Sequence, residues 1–267
     1  MHRLCNIYVL AMAFAIISCT ASKQTTSTGE RQLSQQLVTS VLWYQQSAEM
    51  VASYLQAYEY GKLVLAAKID TIASERPLAV VLDIDETVLD NSPYEVKQIK
   101  KGQVYQFATW KAWTDQARAK ALPGALDFIN FAKSKGVEVF YISNRRENEL
   151  NATIQNLQNL GFPNADAKHV YLRSATSDKT ARRDLVAESF NIILFVGDNL
   201  TDYSEIYANR GENLGKEAIM KNKADLLYNF IMLPNPMYGE WESAIYDNDN
   251  SISAEEKLKK RLEVLED

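Results

Sequence analysis

Cysteine is nearly missing from this chain. Cys5 and Cys19 are the only two in 267 residues, and both precede the polar stretch that opens at Thr20. A domain that starts beyond them has neither a disulfide nor a thiol nucleophile, so packing alone must stabilise it. Histidine is equally scarce, with His2 at the start and His169 inside. One internal histidine cannot supply a histidine nucleophile with a second imidazole beside it. Nor can it supply the several imidazoles of a zinc or di-iron centre. His169, at the start of a short strand, reads as structural. No basic stripe is visible, and the net charge is −5. That excludes nucleic acid as a partner. No apolar run is long enough to span a bilayer. With 10 Gly and 6 Pro the chain is neither fibrous nor low-complexity.

At 46% hydrophobic the chain can bury a full core. One large domain, or one with a small accessory, is expected. Arg3 followed by the apolar stretch Ile7 to Ile17 and the small Ser18 reads as a signal peptide over residues 1–18. Ile16-Ile17-Ser18-Cys19 resembles a bacterial lipobox, with Ile16 where Leu is usual. Cys19 would then carry lipid and anchor the mature chain to a membrane. Residues 19–31 are polar and read as a tether. Leu33, Leu37, Val41, Tyr44, Ala48, Val51, Leu55 and Tyr58 recur every three or four residues. They predict a helical region over 32–76, broken near Ser47 or Gly61, that packs on the main domain.

From Pro77 the pattern changes. A strand over 78–84 precedes an aromatic-rich insertion at about 90–123. Helices and strands then alternate: a helix stopped by Gly136, a strand over 137–142, a helix over 147–160 stopped by Gly161, a strand over 169–172, a helix over 178–190, and strands over 192–196 and 231–233. This alternation predicts an α/β fold, a parallel sheet with helices on both faces, over residues 77–246. Residues 247–267 form a helical tail, opened by the capping pattern Ser253-Ala254-Glu255-Glu256.

The chemistry gathers at strand ends. Leu78 to Leu82 runs into Asp83-Ile84-Asp85-Glu86-Thr87, and Phe195-Val196 runs into Gly197-Asp198. Phe140-Tyr141-Ile142 ends in Ser143. In a strand, Asp83 and Asp85 face the same way. Two carboxylates so close either share a proton or hold a cation, and an acidic turn is the plain alternative. In an open parallel sheet ligands bind beyond the carboxyl ends of the strands, so these ends share one edge. Asp202, four residues past Asp198, can face back into the site if Thr201 or Asp202 opens a helix. Three or four carboxylates without histidine suit a hard cation such as magnesium.

Leu82-Asp83-Ile84-Asp85-Glu86-Thr87-Val88-Leu89-Asp90-Asn91-Ser92-Pro93-Tyr94 and Ile193-Leu194-Phe195-Val196-Gly197-Asp198-Asn199-Leu200-Thr201-Asp202-Tyr203 resemble the two signatures of the class C nonspecific acid phosphatases. These are four-aspartate phosphohydrolases of the haloacid-dehalogenase (HAD) superfamily. The resemblance continues through Pro123-Gly124-Ala125, Phe140 to Arg145 and Leu233 to Gly239, and spans about residue 31 to the end. Tyr203 replaces the family's usual Phe, Ser143 its commoner Thr, and the 90–123 insertion departs further.

The resemblance implies a HAD-like Rossmannoid three-layer α/β/α sheet. A small helical accessory domain would come from the N-terminal helices, the insertion and the tail. It implies hydrolysis of phosphomonoesters, nucleoside 5′-monophosphates and aryl phosphates among them, at acid pH. Asp83 is then the nucleophile and Asp85 the proton carrier. Mg²⁺ is held by Asp83, the backbone carbonyl of Asp85, and Asp198, with Asp202 in support. Ser143 and Asn144 hold phosphate oxygens, with Arg145 directly after them. Lys179 neutralises the phosphoryl group. Trp110 and Tyr238, with Tyr94, stack on the leaving group. Arg173, Arg182 and Arg183 read as surface or helix-end charges.

The scarcity of cysteine and histidine agrees, since a phosphatase here is left with the aspartate route. Many relatives are outer-membrane lipoproteins, which agrees with Cys19. The expected setting is therefore the bacterial envelope, facing periplasm or surface, with a homodimer allowed. Phosphotransfer to an acceptor alcohol and a non-catalytic surface-binding lipoprotein are the alternatives. The intact set of Asp83, Asp85, Lys179 and Asp198 disfavours the second.

Overall fold

The computed structural model describes residues 26–267. The expected signal peptide and Cys19 lie outside the described residues. In chain order the helices and strands are α1 (Thr28–Gln46), α2 (Ala48–Thr71), β1 (Leu78–Leu82), β2 (Leu89–Asp90), α3 (Ser92–Lys101), α4 (Phe107–Thr114), β3 (Lys120–Ala121), α5 (Ala125–Ser134), β4 (Glu138–Arg146), α6 (Leu150–Asn159), β5 (Val170–Arg173), α7 (Thr180–Ser189), β6 (Asn191–Gly197), α8 (Lys216–Lys221), α9 (Lys223–Asn229), β7 (Phe230–Met232), α10 (Glu240–Ile245) and α11 (Ala254–Glu263).

Local chemistry sets several boundaries. Ser27 and Glu30 form a reciprocal capping box, so α1 opens at Thr28, inside the stretch expected as tether. Ser47 breaks the long helical stripe. Its hydroxyl donates to the Trp43 carbonyl at 2.6 Å and accepts from the Met50 N–H at 3.0 Å, ending one helix and capping the next. Gly61 does not break α2. A Cβ there would lie 3.1 Å from the Phe128 ring, so glycine lets α2 approach α5 closely.

The main sheet has the order β5-β4-β1-β6-β7, all parallel. Strand β1 lies at its centre, with β4 and β6 on either side. Alternate side chains fill opposite faces. Val80 and Leu82 join Tyr54, Tyr58 and Leu65 of α2, Phe128 of α5 and Leu157 of α6 in the larger core. Ala79, Val81, Phe140 and Ile142 pack with Val186 of α7 on the other face. This is the three-layer α/β/α arrangement expected. The N-terminal helices divide between two jobs. Helix α1 packs on the insertion helix α3 and the tail helix α11, whereas α2 belongs to a layer on the sheet itself.

Candidate active site

The site begins where β1 stops. The strand ends at Leu82, two residues earlier than expected, although the Asp83 N–H still donates to the Val196 carbonyl at 3.0 Å. The chain then turns tightly, with the Val88 and Leu89 N–H groups both on the Ile84 carbonyl at 2.9 Å. Glu86 sits inside this turn at φ 56°, a left-handed conformation uncommon for a side-chain-bearing residue. Two tyrosines of α2 hold the turn. Tyr54 donates to the Glu86 carbonyl at 2.5 Å and Tyr58 to the Thr87 carbonyl at 2.7 Å. Strand alternation therefore does not reach Asp85, yet both aspartates line the same cavity.

Their surroundings differ. Asp83 meets Lys179, whose ammonium also donates to Asp202 Oδ1 at 2.7 Å and to the Ile142 carbonyl at 2.7 Å. Asp83, Asp198 and Asp202 each bring one carboxylate oxygen to within 4.8 Å of the others. Asn235 and Asn199 donate to Asp198 Oδ2 at 2.8 and 3.1 Å. The Asn199 N–H donates to Asp202 Oδ2 at 2.9 Å, in the 3₁₀ turn Leu200–Asp202. That turn aims Asp202 back into the site, as the sequence allowed. Gly197 leaves it room, since a Cβ there would lie 2.2 Å from Asp202 Oδ2.

All four side chains are buried. Burial pushes Asp83 up to about 7, with Asp202 and Asp85 adding to the rise and Lys179 opposing it. Burial, then Asp202 and Asp83, raise Asp198 as well. Burial alone would discharge Lys179, but Asp202 and Asp83 hold it protonated above its ordinary value. Ionised together, three carboxylates facing one ammonium would place an excess of two negative charges out of water, which is why Asp83 and Asp198 rise. A divalent cation matches both that excess and the all-oxygen donor set.

Asp85 faces a different partner. Arg145 grips its carboxylate from Nε at 2.9 Å and Nη2 at 2.7 Å. Ser143 Oγ donates to it at 3.2 Å and Asn91 Nδ2 at 2.8 Å. Ser143 thus serves Asp85, and the Arg145 guanidinium is engaged by Asp85 and by Thr153 at 3.1 Å. Asn144 lines the cavity, and its side-chain oxygen accepts from Arg182 at 2.8 Å.

Arg182 and Arg183 correct the expectation of surface charges. Both are buried. Arg182 donates to the Ser143 carbonyl at 2.6 Å and Arg183 to the Thr201 carbonyl at 2.8 Å, so each fixes a loop of the site. Positions 179, 182 and 183 share one helical face, a spacing that could have grouped the arginines with Lys179. Asn91, Asn199 and Asn235 were also missed as site residues, although all three lie inside the strings that carry the family resemblance. His169 is clear of the site, pairing with Asp166 at 2.8 Å and Glu138 at 3.2 Å.

These groups open onto a cavity of about 1150 Å³. Trp110 and Tyr238 line it, as the stacking reading requires. Tyr94 does not. It is fully buried and packs edge-on against Trp110 at 5.2 Å, with its hydroxyl accepting from the Gln106 N–H at 3.2 Å. Its role is to support Trp110.

Comparisons with known proteins converge on this site. The family model for the HAD superfamily, subfamily IIIB (acid phosphatase), matches residues 7–241. The class C acid phosphatase from Bacillus anthracis is 42% identical, with a TM-score of 0.83, over 88% of this chain and 99% of that one. A crystal structure of class C acid phosphatase from that organism with tungstate bound gives 41% identity, a TM-score of 0.83 and the same coverage. Acid phosphatase 1 of Solanum lycopersicum is 30% identical over 59% of this chain and 57% of that protein. The stem 31 kDa glycoprotein of Glycine max is 28% identical over 62% and 63%. The chain thus spans less than two thirds of these two plant relatives.

Proposed function

The chain belongs to subfamily IIIB of the HAD superfamily, the acid phosphatases, and on that premise we propose that it hydrolyses phosphomonoesters through Asp83. One observation carries the reading: Asp83 sits beside a buried ammonium, Lys179, and two further carboxylates at the carboxyl edge of a parallel sheet. Phosphoryl transfer needs an aligned nucleophile and neutralised charge more than unusual covalent chemistry. Asp83 Oδ attacks phosphorus while the bond to the leaving oxygen breaks. Asp85 supplies the proton that this oxygen takes up. Asp85 then removes a proton from water, which attacks the phosphorus of the aspartyl-phosphate and frees Asp83 and inorganic phosphate. Lys179 offsets the charge that would otherwise keep a phosphate dianion away from Asp83. Arg145, Ser143 and Asn91 fix where the Asp85 carboxyl sits.

The carboxylates of Asp83, Asp198 and Asp202 would hold Mg²⁺, which when bound supplies the remaining positive charge at the phosphate oxygens. The tungstate of the Bacillus anthracis enzyme, a tetrahedral oxyanion like phosphate, supports an anion-accepting site in the family. Trp110 and Tyr238 support aryl phosphates and nucleoside 5′-monophosphates as substrates. Because Asp85 acts as an acid only when protonated, the optimum belongs on the acid side of neutrality.

The test is phosphate release from phenyl phosphate, AMP and methyl phosphate across about pH 5 to 9, with Mg²⁺ or EDTA. Activity that is acid-favoured, EDTA-sensitive and absent in Asp83→Asn is expected. Activity that survives both EDTA and Asp83→Asn overturns the mechanism. The lipid anchor at Cys19 and the envelope setting rest on the sequence alone. Fatty-acid labelling that is lost in Cys19→Ala tests them.

A further inference from the structure

The cavity does not end at the aromatic residues. It continues to the junction of α1, α3, α10 and α11, where Glu30, Leu33, Glu95, Glu242 and Arg261 line it. Glu95 is the unexplained group there. It is 8% exposed, yet no described residue donates a hydrogen bond to its carboxyl or pairs with it. Its neighbours are already engaged. Glu242 accepts from Arg261 at 2.5 Å and from the Tyr246 hydroxyl at 2.9 Å. Arg261 also donates to Tyr246 at 2.6 Å and to Gln36 at 2.5 Å. Glu30 closes the capping box of α1. Of the described carboxyls that line this end, Glu30, Glu95 and Glu242, Glu95 alone accepts no hydrogen bond.

An acid in the first turn of α3 favours the helix dipole, but that purpose needs no burial. A buried, unpaired carboxyl is costly and marks a wall built to meet something that enters the cavity. Burial, with Glu242 in support, pushes Glu95 up to about 7, which a cation arriving beside it would reverse. The same cavity is lined by aromatic residues, Tyr105, Trp110 and Tyr238, and the Trp110 ring lies 5.8 Å from the Arg145 guanidinium and 6.1 Å from the Tyr105 ring. Such walls suit an apolar spacer and tolerate a positive charge.

We propose that Glu95 forms a distal specificity subsite that receives a cationic group, such as a protonated amine, on the alcohol part of the phosphomonoester. The subsite rests on the phosphatase reading and deepens it. It selects among leaving groups and takes no part in breaking the phosphorus–oxygen bond.

The experiment compares ω-aminoalkyl phosphates of graded length with n-alkyl phosphates of equal length, at about pH 8, where Glu95 is largely ionised. At the length that bridges Asp83 and Glu95, the wild type is expected to favour the amine by about tenfold in kcat/KM, mainly through KM. E95Q is expected to remove that preference. A wild type that shows no preference at any length overturns the subsite, as does a preference that persists in E95Q. The wild-type ratio decides the matter even where E95Q folds poorly. Equal hydrolysis of both series rejects the subsite alone, whereas hydrolysis of neither series, at about pH 8 or on the acid side of neutrality, rejects the phosphatase reading and the subsite with it.

Discussion

Asp83 and Asp85 are two residues apart and have opposite surroundings: Asp83 faces an ammonium and two carboxylates, while Asp85 is gripped by a guanidinium and two neutral donors. That division supports the mechanism, and it puts Arg145 in a positioning role. Lysine cannot reproduce a two-point grip on a carboxylate. Arg145→Lys is therefore expected to lower kcat about tenfold with a smaller change in KM. The loss should be greater for methyl phosphate than for p-nitrophenyl phosphate, whose leaving group needs little protonation. Parallel rates on the two substrates would be checked by steady-state kinetics and would count against the role. Glu95 makes a separate prediction about stability. Its folded value of about 7 lies above the ordinary 4.5, so the folded chain holds a proton that the unfolded chain has lost between those values. Stability from this group is present below pH 4.5 and is lost as pH rises through 7. Glu95→Gln should thus stabilise the protein at pH 8, on the order of 2–3 kcal/mol, and hardly at all near pH 4. Urea melts at the two values measure it. At this scale the candidate site residues were legible, because Asp83, Asp85, Asp198 and Asp202 stand in two contiguous strings and the family resemblance implied Lys179. Arg182 and Arg183 were not, because their burial arises from loops that only the tertiary fold brings together.

Elements position those residues more than strand pleating does. The sequence put Asp83 and Asp85 on one face by strand alternation, but β1 ends at Leu82. What aims the two carboxyls is the turn at Ile84–Leu89, held from outside by Tyr54 and Tyr58 of α2. Tyr54→Phe should cost about 1–2 kcal/mol and lower kcat, since the Glu86 carbonyl loses its buried donor. Tyr44→Phe removes a hydroxyl that touches Tyr54 at 2.6 Å and leaves the bond to Glu86 in place. It should lose stability without losing kcat. Equal effects of the two substitutions on kcat would reject the clamp. The helical stripe over residues 32–76 was legible in its period and in the break at Ser47. Which of the two helices belongs to the sheet layer was not, because α1 and α2 both carry apolar stripes. Tertiary packing decides it: Tyr54, Tyr58 and Leu65 of α2 enter the core, Gly61 lies against Phe128, and Lys68 donates to the Ile193 carbonyl at 2.6 Å.

Across the whole molecule, three buried carboxylates around one lysine make folding and cation binding one equilibrium. A ligand that binds only the folded chain stabilises it by about 2.7 kcal/mol at a hundredfold excess over its Kd. Mg²⁺ should raise Tm by about 5–10 °C, and Asp198→Asn should abolish the rise. Differential scanning fluorimetry with Mg²⁺ or EDTA reads both. The three-layer sheet and the shared edge of its strand ends were legible from alternating elements, since βαβ connections leave few other arrangements. The joining of α1, α3 and α11 came only through the family resemblance, which implied an accessory unit of N-terminal helices, insertion and tail, because those contacts link distant parts of the chain. The most direct measurement is acid quench of the enzyme during turnover of a ³²P-labelled phosphomonoester with Mg²⁺. Nucleophilic attack by Asp83 predicts an acid-stable, hydroxylamine-labile label on the peptide carrying Asp83, and none in Asp83→Asn. Steady phosphate release with no label on that peptide, and undiminished in Asp83→Asn, would contradict it.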